Sequence, residues 1–594
     1  MGHRAAIRPA DRQRPPPLNL LRIGALAAAA LPCSVAMAQL PMPEAASGRT
    51  PHHPTFAAHA MVVAAEPAAA RVGRDILRDG GNAVDAAIAA ALVLNLVEPQ
   101  SSGVGGGGFL VYYAAKSRAL TTFDGRETAP AAAKPDRFLN PDGTPMPFFS
   151  AVVGGRSIGT PGYLRMLEMA HDRYGKLPWA NLFAPAIKLA TDGFPVSNRL
   201  HILLVEDKFL PQSASAKSYF YHPDGTPPAA GETLKNPQLA RVFTEVAMRG
   251  ADAFYHGMIA QDIVHAVHAA SPPGDLALAD LLQYRAMERR PVCGAYRAAR
   301  VCGMGPPSSG GITLLQILGM LQRFPPGKLD LDAPDAVHLF AEAGKLAFAD
   351  RDRFLADTDF VPAPVSGLLD PAYLAARAML IDTTRDSGVP ALPGDPPGQH
   401  AERGDDASPE LPSTTNLAVV DRDGNAVSMT VSIENQFGSR VMVDGFLLNN
   451  QLTDFSFLPR RGSSPVANSV APGKRPRSAM SPTIVFDRRR VKLVIGSAGG
   501  PAIIEDVAKT IIAVLDGRLD LQRAIDLPNI GDRNTGATEI EAGPAAAALS
   551  AALEARGHHS VIGPHPSGIT GIERTGKGLE GAADSRRDGT GAGD

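Results

Sequence analysis

The spacing of apolar and polar residues changes twice along this chain. After a Pro- and His-rich start, residues 68–78 carry apolar side chains three and four apart and stop at Gly80-Gly81. Asn82 then stands where it can cap a second helix running to about Val97, so a helical hairpin is expected. From Gly159 to about Leu355 the pattern is mostly amphipathic helix, as in residues 337–354. Between Arg385 and Pro412 the periodicity disappears and Pro, Gly, Asp and Ser dominate, which reads as a mobile, exposed linker. Beyond it the texture becomes strand-like, at 417–420, 426–432, 483–486 and 491–495, before helical spacing returns at 502–515 and 545–556. Strands sandwiched by helices in one interwoven unit is the architecture this order suggests.

Two details bear on chemistry. Gly103 to Gly108 formally match GxGxxG, yet a helix precedes these glycines and strand-like Phe109-Leu-Val-Tyr-Tyr113 follows. A dinucleotide turn needs the reverse order, so the glycines are read as backbone brought close to something else. Asp423-Gly424 marks a turn that returns the chain antiparallel. Pairing about that turn sets Ser432 opposite Thr414, with Cβ atoms roughly 4.5–5.5 Å apart and two hydroxyls within reach. Taken alone, such a pair is also what ordinary β-propensity produces.

Composition narrows the class. With 58 Lys+Arg against 60 Asp+Glu the chain lacks the basic face of a nucleic-acid binder. Three Cys without CxxC spacing suggest neither a disulfide scaffold nor a zinc site, and histidines such as His52-His53 and His558-His559 read as exposed loop residues. Cys293 and Cys302 are symmetric about a probable hairpin turn, so they face each other either as a disulfide or as two reduced thiols. At the N-terminus Arg4, Arg8, Arg12, Arg14 and Arg22 precede an apolar run at 23–31 and Ala36-Met-Ala38. That order reads as a secretory signal peptide, residues 1–38, removed together with Cys33; a first structural helix is the alternative. No later stretch reaches the roughly 20 apolar residues a bilayer span needs, the longest being 83–97 with Asp85 inside it. A periplasmic or secreted protein without a membrane span is expected.

Eight segments in order carry a family resemblance: Gly80-Gly-Asn-Ala-Val-Asp-Ala86, Gly105-Gly-Gly-Gly-Phe109, Arg126-Glu-Thr-Ala-Pro130, Pro307-Ser-Ser-Gly-Gly311, Ser413-Thr-Thr415, Leu447-Leu-Asn-Asn-Gln451 with Asp454-Phe-Ser456, Lys474-Arg-Pro476 with Met480-Ser-Pro-Thr483, and Gly496-Ser-Ala-Gly-Gly500. From about Ala60 onward the chain resembles the gamma-glutamyltransferase (gamma-glutamyltranspeptidase) family. The resemblance implies an α+β fold, a four-layer αββα sandwich of the N-terminal-nucleophile hydrolase type with a largely helical large subunit. It implies a precursor that cuts itself between Ser413 and Thr414 into a large subunit, 39–413, ending in the linker at about 385–413, and a small subunit, 414–594, the two forming one interwoven heterodimer. Thr414 would then be both nucleophile and, through its freed α-amino group of pKa roughly 7.7–8.0, base. Its substrates would be gamma-glutamyl amides such as glutathione, its acceptors water, amino acids or peptides, and no cofactor or metal is implied.

By the same resemblance Ser432 supports the nucleophile, Gly499 and Gly500 form the oxyanion hole, Arg126 and Ser478 hold the substrate α-carboxylate, and Gln451 and Asp454 hold its α-amino group. Three positions depart from the family's pattern, one of them Ser432, which stands where the family has a Thr and keeps the hydroxyl. Ala479 stands where a second serine is common, and Glu434 replaces an Asn near the α-amino group, where it can hold an ammonium. The stretch from Asp454 to Lys474 is short and has no Tyr to close a lid, which suggests an open site. Two alternatives stay open: a cephalosporin (glutaryl-type) acylase of the same fold, for which Ala479 leaves room and against which the acidic Asp454 and Glu434 argue, and a non-catalytic exported gamma-glutamyl-binding protein.

Overall fold

Fourteen strands form two seven-stranded antiparallel sheets, and in the central strands successive side chains alternate between two buried faces, one towards the other sheet and one towards helices. In chain order they are β1 (Thr55–Ala57), β2 (Met61–Ala64), β3 (Gly107–Ala114), β4 (Ala119–Asp124), β5 (Met287–Arg289), β6 (Val292–Tyr296), β7 (Ala299–Gly303), β8 (Thr415–Val420), β9 (Ala426–Ser432), β10 (Thr483–Asp487), β11 (Arg490–Gly496), β12 (Thr570–Thr575), β13 (Gly578–Ala583) and β14 (Thr590–Gly593). One sheet runs β1-β13-β12-β11-β10-β7-β6 and the other β14-β2-β8-β9-β3-β4-β5. In β8, Ala418 and Val420 point to the other sheet and share one buried cluster with Val63 and Val111 of their own sheet and Ile484 and Val494 of the facing one. Leu417 and Val419 point the opposite way, into a helical layer. The chain is described here by a computed structural model over residues 1–2, 49–386, 388, 390–399, 401–411 and 413–594. The expected signal segment with its cut after Ala38, and Cys33, lie outside the described residues. Met1–Pro41 and Met42–Asp594 are separate units, and every element named here belongs to the second.

Helices cover both outer faces. Against β8, β9 and β3 lie α1 (Pro67–Arg78), α2 (Ala83–Val97) and α3 (Tyr163–Tyr174). Against β10 and β11 lie α4 (Gly310–Leu321), α5 (Pro334–Phe354) and α6 (Ile503–Leu515). The result is the four-layer αββα sandwich. Helix α2 shows why local sequence and tertiary packing agree. The Asn82 side chain accepts from the Val84 and Asp85 N–H groups, while the Asp85 carboxylate accepts from the Asn82 N–H at 3.0 Å. All fifteen of its residues are buried, so the longest apolar stretch is a core helix. Among the described residues no helix is long and apolar enough to cross a membrane.

Three findings differ from the sequence expectation. Strands β12, β13 and β14 lie where no strand pattern was visible, because β12 has Ile572 as its one large apolar residue and β13 and β14 are rich in Gly and Ala; all three gain their stability from neighbours, and β14 pairs with β2. The exposed linker is in part buried: residues 404–411 and 413 lie in no helix or strand, yet Asp406, Leu411 and Ser413 are buried. Ion pairs from Asp405 to Arg353 and from Glu410 to Arg351 and Arg477 hold this strap, which is why apolar periodicity could not reveal it. His558 is buried while His53 and His559 are exposed. In the β6–β7 hairpin, Cys293 and Cys302 are register partners joined by a disulfide with S–S 2.08 Å.

Candidate active site

The site begins at the central β8–β9 pair. Their register, Thr415↔Val431 through Val420↔Ala426, sets Thr414 opposite Ser432 at the end of the ladder, and the two hydroxyl oxygens are 3.3 Å apart. On the other side β9 pairs with β3, Ser432 lying against Gly107. A Cβ on neighbouring Gly106 would fall 2.1 Å from the Ser432 carbonyl oxygen, so the glycine run exists to let β3 close on the strand that carries this serine.

Both hydroxyls converge on the peptide bond before Thr414. The Ser413 carbonyl oxygen accepts from Thr414 Oγ1 at 2.6 Å and from Ser432 Oγ at 2.6 Å. Ser432 Oγ itself accepts from the Glu434 N–H at 2.9 Å. Ser413 is pinned by its own hydroxyl, which donates to the Gln100 carbonyl at 2.9 Å, and Thr414 by Arg587 Nη1, which donates to its carbonyl at 2.9 Å. All three of Ser413, Thr414 and Ser432 are buried. A hydroxyl nucleophile, a carbonyl polarised by two donors and a rigid strand beneath them are the parts an acyl transfer needs.

Around this bond a cavity of about 30 Å³ is lined by Arg126, Thr414, Ser432, Glu434, Gln451, Asp454, Ser478 and Gly500, all anticipated from the sequence. Gly499 precedes Gly500 with φ +136° and Gly500 has φ +58°, conformations that favour glycine, at the turn leading into α6. Arg126 is fully buried; its Nε donates to the Pro476 carbonyl, and its Nη2 contacts Asp454 and donates to the Arg477 carbonyl at 2.8 Å. Gln451 Nε2 donates to Asp454 at 2.8 Å. Glu434, at φ +77°, accepts from Asn450 Nδ2. Burial, and next the charge of Asp454, holds its carboxyl well above the usual carboxylate range. Burial likewise raises Asp454, against the opposing pull of Arg126. In the uncut chain Glu410, Leu411 and Ser413 of the strap line the same cavity and leave room for about one water.

Comparison with known proteins follows this geometry. The family model described as Gamma-glutamyltranspeptidase matches residues 69–594. The chain belongs to the gamma-glutamyltranspeptidase family. Relatives include the glutathione hydrolase proenzyme of Bacillus subtilis (strain 168), 37% identical over 544 residues, 90% of this chain and 91% of that one. The Acylase ACY 1 proenzyme of Pseudomonas sp. (strain SE83) is 33% identical over 563 residues, 93% of this chain and 97% of its own. Among solved structures, cephalosporin acylase from Bacillus halodurans matches with a TM-score of 0.79 and 26% identity, covering 93% of this chain and 99% of that one. The αββα sandwich is therefore that of the N-terminal-nucleophile hydrolases.

Several residues at the site escaped sequence reading. Arg587 comes from the C-terminal segment after β13, and Asn450 sits inside a motif whose neighbours took the attention. Arg351 and Arg477 converge on Glu410 from α5 and from the segment before Ser478; only their buried charge, which needs a partner, could have signalled them. Elsewhere, buried His338, Glu342 and His558 have donor atoms within 4.8 Å of one another. Lys345 Nζ lies 2.5 Å from both Glu342 and Asp386 and already places a cation there, and His338 Nδ1 and His558 Nε2 share a hydrogen bond of 2.7 Å.

Proposed function

We propose that this chain is an exported, self-processing gamma-glutamyltransferase and glutathione hydrolase. The observation that carries the reading is the Ser413 carbonyl, held at 2.6 Å by each of two hydroxyls beside a cavity lined by Arg126 and by the carboxyls of Glu410, Glu434 and Asp454. Thr414 Oγ attacks the Ser413 carbonyl carbon as its proton passes to the peptide nitrogen, the C–N bond breaks to leave an ester and the free Thr414 amine, and water then hydrolyses the ester to the Ser413 carboxylate and the Thr414 hydroxyl. That amine then takes the proton of its own hydroxyl as Oγ attacks a gamma-glutamyl amide, and the leaving amine takes the proton on. The acyl-enzyme passes to water or to an amino acid or peptide. Gly499 and Gly500 receive the developing oxyanion, Arg126 and Ser478 the α-carboxylate, and Asp454, Glu434 and Gln451 the α-ammonium. Export rests on the sequence of residues 1–38, and the Cys293–Cys302 bridge suits an oxidising compartment.

Intact-mass analysis tests the first half. Wild-type protein is expected as two chains, the second beginning at Thr414; Thr414→Ala is expected as one, and a cut Thr414→Ala protein would end the reading. A glutaryl-type acylase is the second reading, supported by Ala479 in the cavity wall and by the acylase relatives. Cleavage of gamma-glutamyl and glutaryl anilides by one preparation separates the two. Equal rates would favour the acylase, because removing the substrate ammonium should cost a gamma-glutamyl site roughly 2–5 kcal/mol.

A further inference from the structure

Before any cut, the cavity beside Thr414 already contains a carboxylate, that of Glu410, and the groups gripping it do not include Arg126. Arg351 Nη2 donates to the two Glu410 oxygens at 2.8 and 2.6 Å, and Arg477 Nη2 donates to one of them at 2.7 Å. Each arginine is only 2% exposed. Arg477 Nη1 also donates to the Arg351 carbonyl at 3.3 Å, so the two side chains stand together. Arg126 has spent its Nε and Nη2 on Pro476, Arg477 and Asp454.

The charges around the pair are unequal in origin. Asp352 lies 3.0 Å from Arg351 and 3.2 Å from Arg477, and Asp406 lies 3.3 Å from Arg477. Asp406 and Glu410 belong to the strap that ends at Ser413, whereas Asp352 belongs to α5. A cut after Ser413 turns the strap into a free chain end. Its withdrawal leaves two buried guanidiniums sharing one carboxylate, an uncompensated charge that demands an anion. Glu410 also lies on the acyl side of the bond that Thr414 faces, the side on which a donor's own carboxylate arrives.

We propose that Arg351 and Arg477 form a carboxylate subsite for the acyl group of the donor, occupied by Glu410 in the uncut chain and by the substrate carboxylate afterwards. This rests on the reading of Thr414 as the acyl-transfer nucleophile. Two planar forks meeting one carboxylate give directional recognition that a hydroxyl at position 479 would not match. The ligand class is therefore acyl donors bearing a carboxylate on the acyl chain, read by this pair beside Arg126. Glu410 is at once the anchor of the strap and the occupant that keeps donors out of the uncut protein.

The experiment compares kcat/KM for gamma-glutamyl anilide and for 4-aminobutyryl anilide, the same acyl chain without its carboxylate, in processed wild type and in Arg477→Leu. The preference for the carboxylate-bearing donor is expected to fall roughly thirtyfold or more in the variant, the low end for truncating one partner of a buried charge pair. An unchanged preference overturns the proposal. If Arg477→Leu does not fold or cut, calorimetric binding of acetyl-Glu-Leu-Pro-Ser and acetyl-Gln-Leu-Pro-Ser to processed wild type decides. The first, copying residues 410–413, is expected to bind at least about tenfold more tightly; equal affinity, or no binding of either, overturns the subsite. Processed wild type that cleaves neither anilide refutes the nucleophile reading instead, and the two peptides still measure the subsite separately.

Discussion

Ser432 and Glu434 sit two residues apart and divide the chemistry of the site between them. Ser432 Oγ supplies one of the two hydrogen bonds on the Ser413 carbonyl, at 2.6 Å. Removing a donor from a carbonyl that becomes an oxyanion typically costs about 10²–10³ in rate. Ser432→Ala is therefore expected to slow self-cutting by about that factor without changing the cut position, as followed by the appearance of the Thr414 chain on denaturing gels; unaltered kinetics would remove Ser432 from the mechanism. On the proposed reading, Glu434 governs the pH dependence of ammonium binding. Its carboxyl is raised by burial and by Asp454, so it is protonated at low pH and its charged form grows as pH rises. An α-ammonium needs the charged form. Inhibition of the processed enzyme by L-glutamate should therefore strengthen from pH 5 to 8, whereas glutarate, which lacks the ammonium, should show no such gain. A parallel dependence for both ligands would remove Glu434 from the ammonium subsite.

At the level of elements the strap behaves as an acidic segment clamped by basic side chains. Burial pushes the Glu410 carboxyl up, but Arg351 and Arg477 together overcome it and hold the group at about 2, against an ordinary 4.5. A depressed carboxyl contributes stability above its unfolded pKa and loses it as pH falls through the folded one, so this contribution of roughly 3 kcal/mol is present above about pH 4.5 and gone near 2. In the uncut Thr414→Ala background, adding Glu410→Gln should lower stability to urea at pH 6, and the gap should close as the pH falls from 4.5 towards 2. A gap independent of pH would mean that the carboxylate is not the anchor. The strap also shows where sequence reading ran out. Register arithmetic about Asp423-Gly424 located the Thr414–Ser432 pair, and the same symmetry located Cys293 opposite Cys302, because hairpin pairing is local. Glu410 meets residues about 60 positions away on both sides, and β14 pairs with β2 across almost the whole chain, so neither contact leaves a local periodicity.

Across the whole molecule, the cut after Ser413 would fall inside the architecture. In one sheet β2, β3, β4 and β5 precede the cut and β8, β9 and β14 follow it; in the other, β1, β6 and β7 precede it and β10 to β13 follow. The order β14-β2-β8-β9-β3 interleaves the two pieces: β2 of the first is paired on both edges by strands of the second, and the β8–β9 pair of the second is held between β2 and β3 of the first. Separating them would break the β2–β8, β9–β3 and β2–β14 ladders and expose the Val63–Val420 layer between the sheets. That loss far exceeds what one peptide bond contributes to holding the chain together, because its scission mainly frees the end of one short strap. Processed protein is therefore expected to elute from a sizing column at the mass of the uncut chain, to remain so on dilution, and to unfold in one transition that both pieces share. Pieces that separate without denaturant would show that the interleaved strands are not what holds Thr414 in place, and would leave the nucleophile without the rigid bed its role requires.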